Sequence, residues 1–356
     1  MKLTIKTATL QSMVARAMKG ASCNKMIPIT GMMCVSLCGN VLMLTTTDAT
    51  NYLHILQDKI PGEDFEITVD ADVFSKLIAR LTCDEVTMEL EENSLRIKGN
   101  GSYKIELPLD EEGQLVKFPK FKTDFAPQDH TINLSTIKLI LATAKASLAL
   151  NTEAGCYTGY YCGDRIVATD SSVMCGIDIK LWDEPALISS EMMDLLSVFT
   201  AEKFHVIRSD DSIRFESMDC IVEGRLMDSI EYYKIDVING LLDQEYDSYC
   251  CVSRIALLQL LDRLMLFVGP YDDNKIDLVF TNNGIDIKSL RDNSIETVEY
   301  SGSENFKPFM CTINVELFRN QVKASTADVI ELHYGLDNAI KFVDGNVTQV
   351  IALEVE

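Results

Sequence analysis

One structural pattern occurs three times along this chain, at intervals too long for a solenoid repeat. Each copy consists of an amphipathic helix, an alternating strand, a short polar turn and a second strand. The two strands of each copy lie at 86–90 and 95–98, at 204–208 and 213–216, and at 329–333 and 339–342. The residues that precede the first strand of each copy, Glu85, Lys203 and Asp328, are 118 and 125 positions apart. Intervals of this length predict tandem copies of a whole domain.

Hydrophobic periodicity predicts two helices in each copy and a larger number of strands. Apolar residues at three- and four-residue steps predict helices at 9–20, 71–82, 135–148, 190–203, 253–267 and 315–325. Period-two alternation predicts strands, among others at 31–38, 41–47, 52–58, 103–107, 159–169, 275–281, 284–290 and 347–355. The second helix of each copy follows a residue suited to an N-cap, which is Asp70, Ser189 or Asn314.

Two stretches are typical of linkers between the copies. Residues 117–130 contain two prolines, and residues 236–247 contain an Asn-Gly pair and an acidic run. The fold class predicted is therefore α+β. We expect three tandem domains, 1–122, 123–244 and 245–356, each with two helices on antiparallel sheets.

Composition constrains the class of protein less than the net charge does. The chain has 356 residues, 47% of them hydrophobic, which is ordinary for a globular protein. A net charge of −22 argues against nucleic-acid binding unless the basic residues are concentrated locally. The eleven cysteines form no CxxC pair, which favours free thiols in a reducing compartment. Without a signal-peptide core or a long apolar run, we expect a cytoplasmic protein with no membrane association.

The sequence gives no support for catalysis. It contains no GxxxxGK[ST] loop, no GxGxxG turn and no HExxH motif. The four histidines are scattered, and His205 and His333 lie inside predicted strands. We therefore expect a protein without enzymatic activity, without a metal and without a cofactor.

Positive charge is concentrated on the predicted helices. These six segments carry eleven basic and six acidic residues, although the chain as a whole is strongly acidic. In four of the helices two basic residues are three, four or seven positions apart, which places them on one face. For any one helix this is also the pattern of an ordinary solvated face, but its recurrence favours a basic surface that attracts phosphates without reading bases. The candidate DNA-binding residues are Arg16, Lys19, Lys76, Arg80, Lys138, Lys145, Arg254, Arg263, Arg319 and Lys323.

The whole chain resembles the bacterial sliding clamp, the beta subunit of DNA polymerase III. The resemblance begins with the N-terminal Met-Lys-Leu-Thr-Ile and continues through the Leu-Thr-Thr-Thr-Asp at 44–48 and the Lys-Phe-Pro at 117–119. It is clearest at the Val-Ala-Thr-Asp of 167–170. No single one of these motifs is specific for the family. Their order over the full length of the chain is more specific. The divergence from the family suggests a clamp encoded by a phage or mobile element.

The resemblance implies a non-enzymatic ring of two protomers that encircles double-stranded DNA, independently of sequence, and tethers a polymerase to it. Its location would be cytoplasmic, on the nucleoid during replication. The homodimer contact implied by the family would place Ile105 and Leu107 against Leu266 and Phe267. Each of these four residues is equally well explained by core packing.

The resemblance also implies a pocket for short peptides of polymerase and clamp-loader subunits. Its residues here would be Tyr157, Thr169, Ser171, Ser172, Val173, Met174, Ile235, Val350, Ile351, Ala352 and Leu353. Two arginines that the family usually has in this region are replaced by Val173 and Glu354. Apolar character is therefore retained and the positive rim is lost. The alternative is a clamp-like binding module or inhibitor that no longer encircles DNA, for which the net charge and the altered pocket are the support.

Overall fold

A computed structural model describes residues 2–22, 24–123, 125, 130–269, 274–290 and 294–354. Within them the α-helices are α1 (Thr7–Ala17), α2 (Ala71–Ala79), α3 (Leu134–Thr143), α4 (Ser190–Leu195), α5 (Ile235–Leu242), α6 (Arg254–Leu264) and α7 (Val315–Ala324). Short 3₁₀ turns extend α1, α4 and α6 and follow α3. None of the helices in the described residues is long and apolar enough to cross a membrane.

Twenty-four strands are present in the described residues, and they fall into three sets of eight. The first set is β1 (Lys2–Lys6), β2 (Met32–Cys38), β3 (Val41–Thr47), β4 (Asn51–Gln57), β5 (Phe65–Asp70), β6 (Glu85–Glu91), β7 (Ser94–Lys98) and β8 (Ser102–Glu106). The second is β9 (His130–Asn133), β10 (Gly159–Cys162), β11 (Ile166–Thr169), β12 (Val173–Ile177), β13 (Ala186–Ser189), β14 (Lys203–Arg208), β15 (Ser212–Glu216) and β16 (Cys220–Arg225). The third is β17 (Ser248–Ser253), β18 (Lys275–Phe280), β19 (Gly284–Ser289), β20 (Ile295–Glu304), β21 (Phe309–Asn314), β22 (Val329–Tyr334), β23 (Ala339–Asp344) and β24 (Val347–Ala352).

The three sets share the same antiparallel pairings, and the third set adds one between β17 and β20. In each set the first strand pairs with the sixth, the second with the third and the fifth, and the third with the fourth. The sixth, seventh and eighth strands pair in series. The predicted fold class, α+β with tandem copies of one domain, is confirmed. The domain boundaries at 122 and 244 remain predictions.

Consecutive sets are joined by a further pairing. The fourth strand of one set pairs with the eighth strand of the next, as β4 with β16 and β12 with β24. We refer to these two pairings as the first junction and the second junction. Each continues a sheet from one copy of the domain into the next, so that backbone hydrogen bonds cross both junctions.

By their contacts the residues form two compact units, which divide the second copy between them. The first unit comprises Met1–Ser135 and Glu191–Leu226 and contains a four-stranded and an eight-stranded sheet. The second unit comprises Thr136–Ser190 and Met227–Glu356 and contains a twelve-stranded sheet. The first junction lies within the first unit, and the second junction within the second unit.

Local signals in the sequence account for the helix starts. The Asp70 carboxylate accepts a hydrogen bond from Val73 N (2.8 Å), which caps α2. Asn314 accepts from two backbone N–H groups at the start of α7, and the Ser253 hydroxyl accepts from one, Ala256 N, at the start of α6. These side chains satisfy donors that the first helical turn leaves unpaired, so the predicted caps at Asp70 and Asn314 are confirmed.

Four boundaries predicted from the sequence differ from the structure. The segment 159–169 is two strands, β10 and β11, separated by a turn, and the segment 236–247, predicted as a linker, begins with helix α5. The helix predicted at 190–203 ends at residue 198, because β14 starts at Lys203. The last strand ends at Ala352, and the end of the predicted segment at 355 lies outside the described residues.

Candidate functional site

The basic residues of the helices are partly neutralised within the chain. Among the described residues, the predicted DNA-binding cations form these ion pairs: Arg16 with Asp219 (2.8 Å), Lys76 with Asp72 (2.6 Å), Arg263 with Glu296 (2.5 Å) and Arg319 with Asp262 (2.5 Å). Arg254 is half-buried, and the side chains of Lys19, Arg80, Lys138, Lys145 and Lys323 are exposed. Because a paired cation presents less charge to a phosphate, the basic field is weaker than the count of basic residues implies.

The contacts of Arg16 indicate a structural role for this residue. Its side chain is 21% exposed and reaches Asp219, in the turn between β15 and β16, across the first junction. Burial alone would raise the pKa of Asp219, but hydrogen bonds from Ser217 and Thr200 and the charge of Arg16 outweigh it and lower that pKa. The Arg16 Nε and Nη2 atoms are buried without a hydrogen-bond partner. The guanidinium therefore holds α1 against the second copy of the domain and does not project freely.

Lys19 lies in an acidic cleft of about 500 Å³. Asp48, Glu191 and Asp194 line this cleft together with Lys19. Three carboxylates near one ammonium group repel a phosphate more than the lysine attracts it. Exposure alone therefore does not make Lys19 a phosphate contact.

The four residues predicted for the dimer contact are not equally available. Ile105 and Leu107 are only 6% and 5% exposed and belong to the core, whereas Leu266 and Phe267 are 80% and 50% exposed. The physical reason is the alternation of β8, which turns Ile105 inward between the exposed Lys104 and Glu106. Tyr103, near the start of the same strand, is 37% exposed. Of the predicted four, only Leu266 and Phe267 offer apolar area to a partner.

The residues predicted for the peptide pocket gather at the second junction, but on two faces of its sheet. Val173 pairs with Ile351, and Met174 pairs with Val350. Met174 and Val350 pack with Tyr157 and Ile235 in one apolar cluster. Because side chains alternate along a strand, Val173 and Ile351 point to the opposite face, where both are fully buried in the core of the third copy, against which Leu353 packs.

The prediction of one continuous groove is therefore corrected for part of the set. Val173, Ile351 and Leu353 pack into a different core, so their side chains do not line the face that carries Met174. Ser171, Ser172 and Ala352 are exposed beside that face, and the Ala352 N–H donates to Ser172 O (2.8 Å). This hydrogen bond extends the second junction beyond the paired strands.

Two tyrosines that were not predicted from the sequence, Tyr161 and Tyr233, belong to the same cluster. Tyr233 lies 5.3 Å, centroid to centroid, from both Tyr157 and Tyr161, and its hydroxyl donates to Val167 O (3.2 Å). Burial raises the pKa of Tyr233, so this hydroxyl stays protonated as a donor. The apolar pattern of α5, whose Ile238 is buried in the same cluster, was the sequence signal for this face.

The turn before β12 is fixed by its own side chains. Thr169 is 2% exposed, its hydroxyl donates to Val173 O (2.7 Å), and its oxygen accepts from Ser171 N (3.0 Å). The Asp170 carboxylate accepts from the N–H groups of Ser172 and Val173, both at 2.8 Å. Ser171 has a φ of 82°, a left-handed conformation that these bonds hold in place. Thr169 is thus a structural element of the turn, and the exposed Ser171 and Ser172 are its accessible part.

The end of the described chain is anchored away from the cluster. Glu354, which stands where the family usually has an arginine, forms an ion pair with Lys275 on β18 (3.3 Å). Its N–H donates to Thr312 O on β21 (2.9 Å). The negative charge of Glu354 is thereby directed to the third copy's own sheet.

Among the described residues no group of three or more His, Cys, Asp and Glu side chains is arranged to hold a metal ion.

Comparisons with known proteins agree with this architecture. Residues 1–114 match the family model described as the N-terminal domain of the DNA polymerase III beta subunit. A search of curated proteins found no match. The resemblance predicted from the sequence is therefore confirmed by a family model for the first 114 residues.

Solved structures extend the likeness to the whole length. The beta subunit of DNA polymerase from Streptococcus pyogenes has a TM-score of 0.90 and 17% identity, covering 100% of both chains. The DNA polymerase III beta subunit from Thermotoga maritima has a TM-score of 0.86 and 16% identity, covering 100% of this chain and 99% of that one. The DNA polymerase sliding clamp from Bacillus subtilis has a TM-score of 0.85 and 16% identity, with the same coverage. At these identities the comparison establishes the fold, which is that of these beta subunits.

Proposed function

We propose that this chain is a DNA sliding clamp, a non-enzymatic processivity factor that encircles duplex DNA and tethers a replicative polymerase. The observation that carries the proposal is the full-length match in fold to beta subunits, combined with the family match of the first 114 residues. One chain carries three copies of the domain, so a ring of two chains would contain six.

The strand pairings support ring closure. Within the chain, the fourth strand of one copy pairs with the eighth strand of the next at both junctions. The same rule would pair β20, the fourth strand of the last copy, with β8, the eighth strand of the first copy, at a junction between chains. The part of β20 open to this pairing lies before Tyr300, because Tyr300 and the residues after it pair with β17. In the described residues β8 pairs with β7 alone, so its outer edge carries free backbone groups. Pairing β20 of one protomer with β8 of another, twice, would close a homodimer and would cover the outer edge of β8 in each protomer.

The contact between protomers would be reinforced by exposed apolar side chains near these edges. Leu266 and Phe267 belong to the 3₁₀ turn after α6, and Ile295, at the start of β20, is 51% exposed. Tyr103 on β8 is the exposed counterpart. Tyr103 thus replaces the buried Ile105 and Leu107 as the apolar contribution of the first copy.

DNA contact is assigned to the exposed cations that lack a carboxylate cluster beside them. Among the described residues these are Arg80, Lys138 and Lys323. Because the chain has a net charge of −22 and few of its exposed positive charges face no carboxylate, we expect loose, sequence-independent contact with DNA. Encirclement by the ring, rather than affinity, would then keep the protein on the duplex.

Polymerase and clamp-loader peptides are assigned to the face at the second junction where Tyr157 and Ile235 remain partly exposed over the buried Met174 and Val350. The support is this cluster of aromatic and aliphatic side chains. Such surfaces derive most of their affinity from a few apolar anchors. With Val173 and Glu354 at positions where the family has arginines, acidic residues of a peptide would gain little there.

The second candidate is a clamp-like inhibitor or binding module that no longer encircles DNA. The pairing of Arg16, Lys76, Arg263 and Arg319 with carboxylates favours it, because the pairing reduces the attraction for phosphate. Synthesis on a long primed template separates the two candidates. A clamp increases the length of product made per binding event of its polymerase, whereas an inhibitor shortens it.

A further inference from the structure

The first junction repeats the local structure of the second in detail. The Thr47 hydroxyl donates to Asn51 O (2.6 Å) and accepts from Ala49 N (3.0 Å), as Thr169 does in the second junction. The Asp48 carboxylate accepts from the N–H groups of Thr50 (2.8 Å) and Asn51 (2.7 Å). Ala49 has a φ of 86°, close to the 82° of Ser171. The two turns are therefore equivalent parts of the domain repeat.

Strand register extends this equivalence to the side chains around the turns. Asn51 pairs with Gly224 as Val173 pairs with Ile351. One residue further along each strand, Tyr52 takes the place of Met174, and Arg225 takes the place of Ala352. The first junction thus has its own version of the peptide face, and an arginine stands on its rim.

This version of the face contains a cleft of about 300 Å³. Thr50 and Tyr52 line it on the side of the turn and β4, Lys120, Phe121 and Lys122 on the side of the interdomain segment, and Arg225 from β16. Three of its lining residues are cations, in a chain of net charge −22.

Two of the three cations have exposed carboxylate partners. Lys120 is paired with Glu66 (2.8 Å) and Arg225 with Asp211 (3.4 Å), and all four side chains are at least 41% exposed. Exposed ion pairs of this kind contribute little to the stability of the fold. A carboxylate from a ligand can therefore replace Glu66 or Asp211 at a small cost in free energy.

An adjoining cavity of about 210 Å³ shares Lys120 and Phe121 with the cleft. Met43, Phe118 and Pro119 give it apolar walls. Its lining also includes the carboxylates of Glu66 and Glu223, which repel an acidic group and leave the cavity to an apolar one.

We propose that the first junction is a second docking groove, which binds a short acidic segment of a partner protein. An acidic side chain of that segment lies among Lys120, Lys122 and Arg225, and a neighbouring aromatic or aliphatic side chain enters the cavity behind Phe121. Charge complementarity sets the occupant, since the second junction offers an apolar face without a basic rim and the first junction offers both. This site is separate from the peptide face at the second junction and does not require that face to bind anything.

The test uses two fluorescein-labelled hexapeptides as probes, Glu-Asp-Phe-Glu-Leu-Asp and the same peptide with lysine at each acidic position. Binding is followed by fluorescence anisotropy on the full chain, at low salt and at about 0.3 M salt, where the Debye length is shorter than about 8 Å. The variant is Lys120→Glu with Arg225→Glu. The matched control is Lys180→Glu with Lys307→Glu, which reverses two exposed lysines that are likewise paired with carboxylates.

We expect the acidic peptide to bind at least about tenfold more tightly than the lysine peptide, and salt to weaken that binding. The groove variant should lose about tenfold in affinity, and the control should stay within about twofold of the unmodified chain. Equal binding of the two peptides, or equal losses in variant and control, would overturn the proposal. A duplex or single-stranded oligonucleotide bound by these cations, with no preference for the acidic peptide, would overturn it as well.

Discussion

Replacing both Leu266 and Phe267 by aspartate should convert the proposed homodimer into folded monomers. Complete burial of a leucine or phenylalanine side chain is worth about 1.5–3 kcal/mol. Leu266 is 80% exposed and Phe267 50% exposed in the single chain, so about 2–4 kcal/mol remains to be gained at each contact between chains. A two-chain ring has two such contacts, and the loss is about 4–8 kcal/mol, which weakens dimerisation by about 10³-fold or more.

The same exposures predict that the substitutions leave the fold intact. Surface changes away from the core usually shift stability by about 0.5 kcal/mol or less. A matched control is Leu150→Asp with Met218→Asp, since these residues are 99% and 97% exposed and lie outside the proposed contact. Light scattering gives the mass, against 39.8 kDa for one chain, and thermal unfolding reports the fold. A Leu266/Phe267 variant that keeps twice the single-chain mass at micromolar concentration would refute this interface.

Three further predictions concern DNA contact, pH and the peptide face. The double variant Arg80→Glu with Lys323→Glu should shorten the DNA product that the polymerase makes per binding event. Reversing the charge of the ion-paired Arg263 should shorten this product less. Equal shortening by both variants would contradict the assignment of DNA contact to the cations without a carboxylate partner. Hydrogen bonds and charge from a histidine and an arginine outweigh burial and lower the pKa of Glu223 below its usual 4.5, so its ionised form stabilises the fold above that pH. The difference in Tm between the unmodified chain and Glu223→Gln should therefore shrink as pH falls below about 4.5 and through the lowered pKa, and a difference independent of pH would contradict the assignment. Tyr157→Ala should weaken binding of a polymerase-derived peptide about tenfold or more without changing the circular dichroism spectrum, and unchanged affinity would place the peptide elsewhere.

Truncation of the C-terminus is a poor test of the peptide face. Removing residues 351–356 would delete Ile351, which is fully buried in the core of the third copy. Loss of a buried aliphatic side chain typically costs about 2–5 kcal/mol, so lost polymerase stimulation would not distinguish binding from folding. The exposed Ala352 and the half-exposed Tyr157 are the informative positions.

The fold was predictable from the sequence where the signal was periodic. The alternation in β6, β14 and β22, together with the caps at Asp70 and Asn314, follows from local chemistry that each segment carries by itself. Helix α5 was missed because its Asn239-Gly240 pair is typical of a turn, yet its apolar side packs on β12 and β24 and that packing outweighs the weak helix propensity.

The sites were predictable only in part, because they depend on contacts between distant residues. The pairing of Arg16 with Asp219 joins positions 203 residues apart, and no local pattern in the sequence reveals it. The division of Val173 and Met174 between two cores requires the register of β12 against β24. Conversely, the equivalence of Thr47 and Thr169 is visible as a repeated Thr-Asp pair, and its meaning for the first junction appeared only from the strand pairings.

Topological retention on DNA tests the central claim most directly. Protein assembled on a singly nicked circular duplex is separated from free protein by gel filtration, and the DNA is then cut once. A closed ring slides off the ends, so we expect the bound fraction to fall to near zero after cutting and to persist on the uncut circle. Protein that stays on the cut DNA as well as on the circle would be held by direct contact, and the proposal of an encircling clamp would be wrong.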